Sequence, residues 1–211
     1  NNTDSLQALL ANQSIAAVIM EPMNVEYPTE GFLADVKALC KAHGAILIFD
    51  ETITGFRFNL GGAQQLFNVT PDLATFGKGM ANGFPISAIV GRKDIMLLME
   101  DVFFSGTFAG ETMSLAATNA VLDKLKNDKV LEHIEQMGQL LIDGLNDIIV
   151  RNDASGFMKV SGHPSWVFLH ITDSKHHSAL LLKSYYLQEM LVRGILINAS
   201  HNLSFSHKRS D

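Results

Sequence analysis

Two ionisable side chains stand directly after apolar runs that are typical of buried strands. Asp50 follows residues 45–49 (AILIF), and Lys78 follows residues 72–76 (DLATF) with one glycine between. Ligands of α/β sheets bind at the carboxyl ends of the strands, so both positions are candidates for chemistry. A carboxylate there needs a cationic partner, which a protonated pyridine nitrogen would supply. A lysine with a glycine on either side is open to close approach and suits imine formation with an aldehyde.

Both residues also fit a second interpretation. Acids and lysines that follow strands are often solvated loop residues, because connecting segments run over the protein surface. Position at a strand end therefore leaves the role of Asp50 and Lys78 open, and the neighbouring sequence decides between the two interpretations.

Four motifs follow one another along the chain: residues 18–22 (VIMEP), 48–57 (IFDETITGFR), 76–85 (FGKGMANGFP) and 104–108 (FSGTF). In this order they resemble the class III aminotransferases of pyridoxal-phosphate (PLP) fold type I. The Thr-Gly-Phe-Arg ending of the second motif is most similar to the branch that contains glutamate-1-semialdehyde 2,1-aminomutase. The resemblance runs from about Ala16 to the chain end.

The resemblance implies a role for four residues. Lys78 would be the catalytic residue, forming the internal aldimine with pyridoxal 5′-phosphate and then shuttling protons. Asp50 would bind the cofactor by holding its pyridine nitrogen protonated. Thr52, where relatives usually carry valine, would pack its methyl group on the ring. Thr107 would bind the cofactor phosphate across a dimer interface, which implies a homodimer with a shared active site and a small-molecule amino donor and acceptor.

Other polar residues of the chain have structural interpretations. Glu21 and Arg57 match motif positions, and we expect them to support the site and to fix loop geometry. The histidines lack an ordered ligand spacing, so no metal site is predicted. Residues 61–62 are a Gly-Gly pair without a dinucleotide-binding pattern and indicate a turn.

The elements that must position these residues alternate between short apolar strands and amphipathic helices. This alternation predicts an α/β fold, and with the resemblance it indicates the large-domain portion of a fold type I PLP transferase: a mainly parallel sheet with helices on both faces. A long helix near 130–148 would bridge to part of a small α+β C-terminal domain, with a strand at 195–197. We expect the domains to be 1–150 and 151–211.

Composition excludes some partners. The 211 residues carry 16 Lys and Arg against 22 Asp and Glu, a net charge of −6 without a basic stripe, so nucleic acid is not an expected partner. No segment approaches the roughly 20 apolar residues that a membrane helix needs. We expect a cytoplasmic protein without a membrane partner. Cys40 is the single cysteine and has apolar helical neighbours, which predicts a buried thiol.

The chain departs from the family at several points. It lacks the upstream segment that supplies the phosphate cradle and the final helix, which indicates a fragment. Residues 198–202 (NASHN) contain no glutamate where the aminomutase branch often has one, and residues 110–112 read Gly-Glu-Thr in place of Gly-Asn-Pro. The leading hypothesis is a PLP-dependent aminotransferase. Glutamate-1-semialdehyde 2,1-aminomutase is one alternative, and a catalytically inert partial domain is another. The sequence leaves the substrate open.

Overall fold

A computed structural model describes residues 1–198 and 200–211. Their contacts divide them into two compact units. The first unit consists of residues 1–24 and 28–129, and the second consists of residues 25–27 and 130–211.

The first unit alternates helices with strands as the sequence predicts. In chain order its elements are α1 Thr3–Asn12, β1 Ala17–Met20, α2 Phe32–Ala42, β2 Ile46–Asp50, α3 Gly62–Leu66, β3 Leu73–Phe76, β4 Ala88–Gly91, α4 Lys93–Met96 and α5 Thr112–Asn127. Single 3₁₀ turns lie at Lys78–Met80 and Leu97–Glu100.

The sheet of the first unit has the strand order β1-β2-β3-β4. The pairs β1–β2 and β2–β3 are parallel, whereas β4 runs antiparallel to β3. The predicted mainly parallel sheet is therefore confirmed, with one antiparallel strand at its edge. Parallel pairing brings the carboxyl ends of β2 and β3, where Asp50 and Lys78 were expected, to the same edge of the sheet.

The core of this unit lies under one face of β2. Leu47 and Phe49 are completely buried, and they pack in one cluster with Val36 and Cys40 of α2 and with Leu10 of α1. Burial raises the pKa of the Cys40 thiol, so the thiol stays protonated at neutral pH. The prediction of a buried Cys40 is confirmed.

Asp72 anchors the amino end of β3, at the opposite end of the strand from Lys78. Its carboxylate accepts a hydrogen bond from the Leu47 backbone N–H at 2.8 Å and one from the Arg92 guanidinium at 2.9 Å. These contacts join three successive strands of the sheet at the end away from the candidate site.

The second unit is an α+β arrangement. Its helices are α6 Val130–Arg151 and α7 Ala179–Val192, and its strands β5 Met158–His163, β6 Trp166–Ile171 and β7 Ser200–Asn202 form an antiparallel sheet in the order β5-β6-β7. Residues 25–27 group with this unit because the Ser161 hydroxyl donates to the Val25 carbonyl at 2.8 Å and Lys159 pairs with Glu26 at 2.9 Å.

The strand predicted at 195–197 is wrong. The Ile195 N–H donates to the Met190 carbonyl at 2.9 Å and closes the end of α7, where Gly194 has a φ of 80°. A backbone group used in a helix C-cap cannot also pair in a ladder. The strand that pairs with β6 is instead β7, a polar segment further along the chain.

The contacts group α6 with the second unit, because α6 packs on β5 and β6. The boundary between units therefore precedes α6, whereas the domain boundary predicted from the sequence, at residue 150, lies in the last turn of this helix. The domain division at 1–150 and 151–211 stays a prediction. Within the described residues, no helix combines the length and the apolar character that crossing a bilayer requires.

Two glycines of α6 have opposite environments. A Cβ on Gly138 would lie 1.7 Å from the carbonyl oxygen of Pro164, in the turn between β5 and β6, and Gly138 is buried. A Cβ on Gly144 would meet nothing within 4 Å. Gly138 therefore allows the helix to approach the hairpin backbone, while Gly144 has no such function.

We predict that Gly138→Ala lowers the free energy of unfolding by about 1–3 kcal/mol or more, because the methyl group meets backbone that cannot move aside. Gly144→Ala is the matched control on the same helix and should raise it by about 0.5–1 kcal/mol, since alanine favours helix over glycine. Urea denaturation of both variants measures the two effects. Equal effects of the two substitutions would contradict the proposed packing.

Candidate active site

The register between β2 and β3 sets the geometry of the candidate site. Asp50, the last residue of β2, pairs with Thr75 of β3. Paired residues on neighbouring strands present their side chains to the same face of the sheet, and the Thr75 hydroxyl donates to the Asp50 carboxylate at 3.1 Å. Lys78 follows three residues after Thr75. The structure thus brings Asp50 and Lys78 to one edge of the sheet, as the sequence predicts.

Asp50 is held as an anion. The largest influence on its carboxyl is a hydrogen bond with the Thr52 side chain, which lowers its pKa from the ordinary value, while partial burial opposes this. The Thr52 backbone N–H, which donates at 3.0 Å, the Thr75 hydroxyl and the positive charge of Lys78 lower the pKa further. The Lys78 charge is therefore close enough to be felt at Asp50.

Lys78 is presented by a tight turn. It begins the 3₁₀ turn Lys78–Met80, its φ is 40°, and its side chain is exposed. Only a few per cent of non-glycine residues have a positive φ, and such strained positions cluster at functional sites. Lys78 is thus held exposed in a backbone conformation that the surrounding structure must impose.

The loop after β2 packs against this turn. A Cβ on Gly77 would lie 3.5 Å from the Thr52 methyl carbon, and one on Gly55 would lie 2.4 Å from the ring of Phe76. Phe56, with a φ of 59°, contacts Phe76 in a tilted arrangement with 5.5 Å between ring centroids. The close approach requires glycine at position 55 and places Thr52 beside the Lys78 turn.

Glu51 is a residue of this region that the sequence analysis did not single out. Its side chain is completely buried, and it accepts hydrogen bonds from the Thr54 hydroxyl at 2.5 Å and from the backbone N–H groups of Ala63 and Gln64 at 2.7 and 2.8 Å. Successive strand residues point to opposite faces. Because Asp50 points to one face, the alternation itself indicated that Glu51 enters the other.

Glu21 and Arg57 are the two motif residues for which a supporting role is predicted. Glu21 is half-buried and accepts a hydrogen bond from the Asn24 side-chain amide. Arg57 is half-buried, and desolvation lowers the pKa of its guanidinium. Their roles as supporting residues stay predictions.

Thr107 lies in the exposed segment 101–110 that leads into α5. Among the described residues, the partners recorded for Asp50 are Thr52, Thr75 and Lys78 and do not include Thr107. Helix α5 nevertheless contacts the 3₁₀ turn that carries Lys78. The structure therefore gathers three of the four predicted site residues and leaves the fourth on a neighbouring surface loop.

The gathered residues fit pyridoxal phosphate. A carboxylate that stays ionised at neutral pH suits a protonated pyridine nitrogen, and an exposed amine between glycines suits an aldehyde. Within the described ranges, no group of three or more His, Cys, Asp or Glu side chains could hold a metal ion.

A mainly parallel sheet with an aspartate ending one strand and a glycine-flanked lysine after the next defines the large domain of a PLP-dependent transferase of fold type I. Solved structures agree with this class. The PLP-bound FumI protein of Sphingopyxis sp. MTA144 superposes with a TM-score of 0.88 and 26% identity, over 100% of this chain and 52% of that one. The chain belongs to the class III aminotransferase family, whose model "Aminotransferase class-III" matches residues 2–206.

Similar proteins include glutamate-1-semialdehyde 2,1-aminomutases. The enzyme of Syntrophobacter fumaroxidans is 44% identical over 156 residues, which are 70% of this chain and 36% of that protein. A second enzyme of this name, from Lachnoclostridium phytofermentans, is 37% identical over 214 aligned residues, covering 93% of this chain and 50% of that protein. The chain thus spans half or less of the length of these relatives.

A glutamate-1-semialdehyde aminomutase from Pseudomonas aeruginosa PAO1, solved in complex with PMP, has a TM-score of 0.85. Its identity to this chain is 22%, and the alignment covers 100% of this chain and 52% of that one. At this identity the likeness supports the shared fold.

We predict that Thr52→Val raises the pKa of Asp50 towards its ordinary value, because valine keeps the shape of threonine but removes the hydroxyl that contributes most to the lowering. Thr52→Ser keeps the hydroxyl and should preserve the lowered pKa. Carboxyl carbon chemical shifts followed through an acid titration measure both. An unchanged Asp50 titration in Thr52→Val would contradict the assignment.

Proposed function

We propose that this chain is the lysine-bearing part of an enzyme that transfers an amino group between small amino and carbonyl compounds with pyridoxal 5′-phosphate. The observation that carries the proposal is the Asp50–Lys78 pair at the carboxyl ends of neighbouring strands, in a chain of the class III aminotransferase family. When bound, the cofactor supplies an aldehyde for amines and an electron sink for the carbanion.

Lys78 has two roles in this proposal. Its exposed amine would hold the cofactor covalently, and as a free amine it would move a proton to and from the reacting carbon of the substrate. The turn between Gly77 and Gly79 leaves the space that both steps need, because neither neighbour has a side chain.

Asp50 and Thr52 act on the ring. The lowered pKa of Asp50 keeps its carboxylate negative, so that it would hold a proton on the pyridine nitrogen and preserve the electron sink that the cofactor supplies. The Thr52 methyl group faces the turn of Lys78 and provides an apolar contact for the ring, while the Thr52 hydroxyl and backbone N–H orient Asp50.

Thr107 and its neighbours support a shared site in a homodimer. Phe103 is 97% exposed, and Phe104 and Phe108 on either side of Thr107 are 66% and 57% exposed. Three exposed phenylalanines in one segment indicate an interaction surface. We infer that the same segment of a second copy covers this surface and that Thr107 then donates a hydrogen bond to the cofactor phosphate of the partner. A cytoplasmic location remains part of the proposal.

Intramolecular amino transfer is the second candidate, because relatives named glutamate-1-semialdehyde 2,1-aminomutase are 37–44% identical to this chain. The absence of an acid at 198–202 favours transfer between two molecules instead. Product analysis with glutamate 1-semialdehyde, without an external amino acceptor, distinguishes the two. Formation of 5-aminolevulinate under these conditions identifies the aminomutase.

A catalytically inert chain is the alternative from another class. Stoichiometric PLP binding and turnover by the 211-residue chain alone would exclude it. Binding only by a protein extended to the length of the relatives would favour it.

We predict that borohydride reduction in the presence of PLP adds one pyridoxyl phosphate to the protein at Lys78, because reduction traps an imine at the reactive amine. Lys78→Ala should lose this adduct, and Lys126→Ala, which removes an exposed lysine of α5, should retain it. Intact mass followed by peptide mapping gives occupancy and position. An adduct that survives in Lys78→Ala would refute the assignment.

The shared site predicts complementation between two defective variants. Lys78→Ala lacks the attachment point and Thr107→Val lacks the phosphate donor, so each alone should bind PLP poorly. If Thr107 acts across the interface, a mixed dimer combines one doubly defective site with one intact site. Mixing after partial denaturation and refolding should restore tight binding, as measured by the visible absorption of lysine-bound PLP. No restoration in a mixture shown to contain mixed dimers would place Thr107 in its own subunit's site.

A further inference from the structure

We propose that Glu51 is a positioning residue that fixes both Asp50 and the turn of Lys78, an inference that rests on the proposed function. Glu51 stays away from the cofactor side of the sheet and acts through the loop between β2 and α3. Its burial, its three donors and the packing of that loop on the Lys78 turn carry the proposal.

A buried carboxylate needs hydrogen-bond donors for both of its oxygens. The Glu51 side chain has no exposed surface, and both of its oxygens are used: Oε2 accepts from the Thr54 hydroxyl and the Ala63 N–H, and Oε1 accepts from the Gln64 N–H. An unpaired charge in this environment is strongly unfavourable. The three donors are therefore held in place relative to the end of β2.

The Glu51 carboxylate occupies the space that a side chain at position 62 would need. A Cβ on Gly62 would lie 2.5 Å from Glu51 Oε2, and Gly62 has a φ of 77°. Only glycine satisfies both conditions at once. The start of α3 is thus shaped around the Glu51 side chain.

The loop from Glu51 to Gly55 connects Glu51 to the Lys78 turn. The Gly55 N–H donates to the Glu51 carbonyl at 2.8 Å, so the loop from Glu51 to Gly55 is closed on itself. Gly55 packs directly on Phe76, and a Cβ on Gly79 would lie 3.8 Å from the Gly55 carbonyl. The loop that Glu51 closes therefore abuts residues on both sides of Lys78.

Hydrogen bonds through Thr75 connect Glu51 to Asp50. The Glu51 N–H donates to the Thr75 carbonyl at 2.9 Å, and the Thr75 hydroxyl donates to Asp50 at 3.1 Å. A shift of Glu51 therefore disturbs both the backbone next to Asp50 and one of the hydrogen bonds to its carboxylate.

The test compares Glu51→Gln with Asp72→Asn. The glutamine amide keeps the shape of glutamate but turns an NH₂ group towards backbone donors. Asp72→Asn is the matched control, because Asp72 also accepts from a backbone N–H of this sheet but lies at the opposite end of β3 from Lys78. Both substitutions should lower the urea midpoint.

Only Glu51→Gln should alter the site. We expect about a tenfold loss of PLP affinity, equivalent to the loss of one charged hydrogen bond, and a shifted absorption maximum of lysine-bound PLP. In the protein without PLP we expect faster hydrogen exchange at Ala63 and Gln64 and a changed rate of Lys78 acylation across a pH series. A Glu51→Gln protein whose acylation profile and absorption match those of Asp72→Asn would overturn the proposal.

Thr54→Val keeps the test decisive if Glu51→Gln does not fold, because it removes one donor and leaves the charge in place. A smaller change in Lys78 acylation in the same direction supports the proposal, and an unchanged profile overturns it. Failure of the proposed function is seen separately: unsubstituted protein would then give no Lys78 adduct with PLP, while its acylation profile would still report on Glu51.

Discussion

The parallel pairing of β2 with β3 is the constraint on which the candidate site depends. The register sets Asp50 beside Thr75, and the chain then needs only three more residues to reach Lys78. An acid and an amine that are 28 positions apart in sequence thus interact at one edge of a sheet. Gly55, Gly77 and Gly79 allow the loop after β2 to approach the turn after β3 closely. The Thr52 methyl group lies beside Gly77 at this contact. The site is a property of two strand ends, not of one loop.

The two adjacent acids at the end of β2 lie on opposite faces of the sheet and have different environments. Asp50 is partly solvated, and its hydroxyl and N–H partners keep it charged for a ligand. Glu51 is buried, and hydrogen bonds from Thr54, Ala63 and Gln64 satisfy its carboxyl oxygens. The same functional group is therefore accessible from solvent in one residue and buried in the next, and alternation along the strand is the cause.

The strands, the parallel pairing and the Asp50–Lys78 pair could be predicted because apolar runs, strand-end polarity and motif order are local signals. Alternation along β2 indicates the face that Glu51 enters, but its hydrogen-bond donors could not be predicted, because no local pattern shows that residues 62–64 return to it. The apolar residues 195–197 have the pattern of a strand, but the Ile195 N–H donates to the Met190 carbonyl in the C-cap of α7 and is not available for strand pairing. Thr107 was predicted from its motif alone, and a second copy of the chain is needed to test its role.

The left-handed backbone of Lys78 has a consequence for how the fold and its chemistry compete. A lysine at a φ of 40° is less stable there than glycine would be, by about 1 kcal/mol or more. Variants selected for thermal tolerance alone would accordingly drift towards glycine at position 78, whereas the proposed function requires the amine there. The turn is thus a place where selection for durability and selection for the proposed chemistry oppose each other.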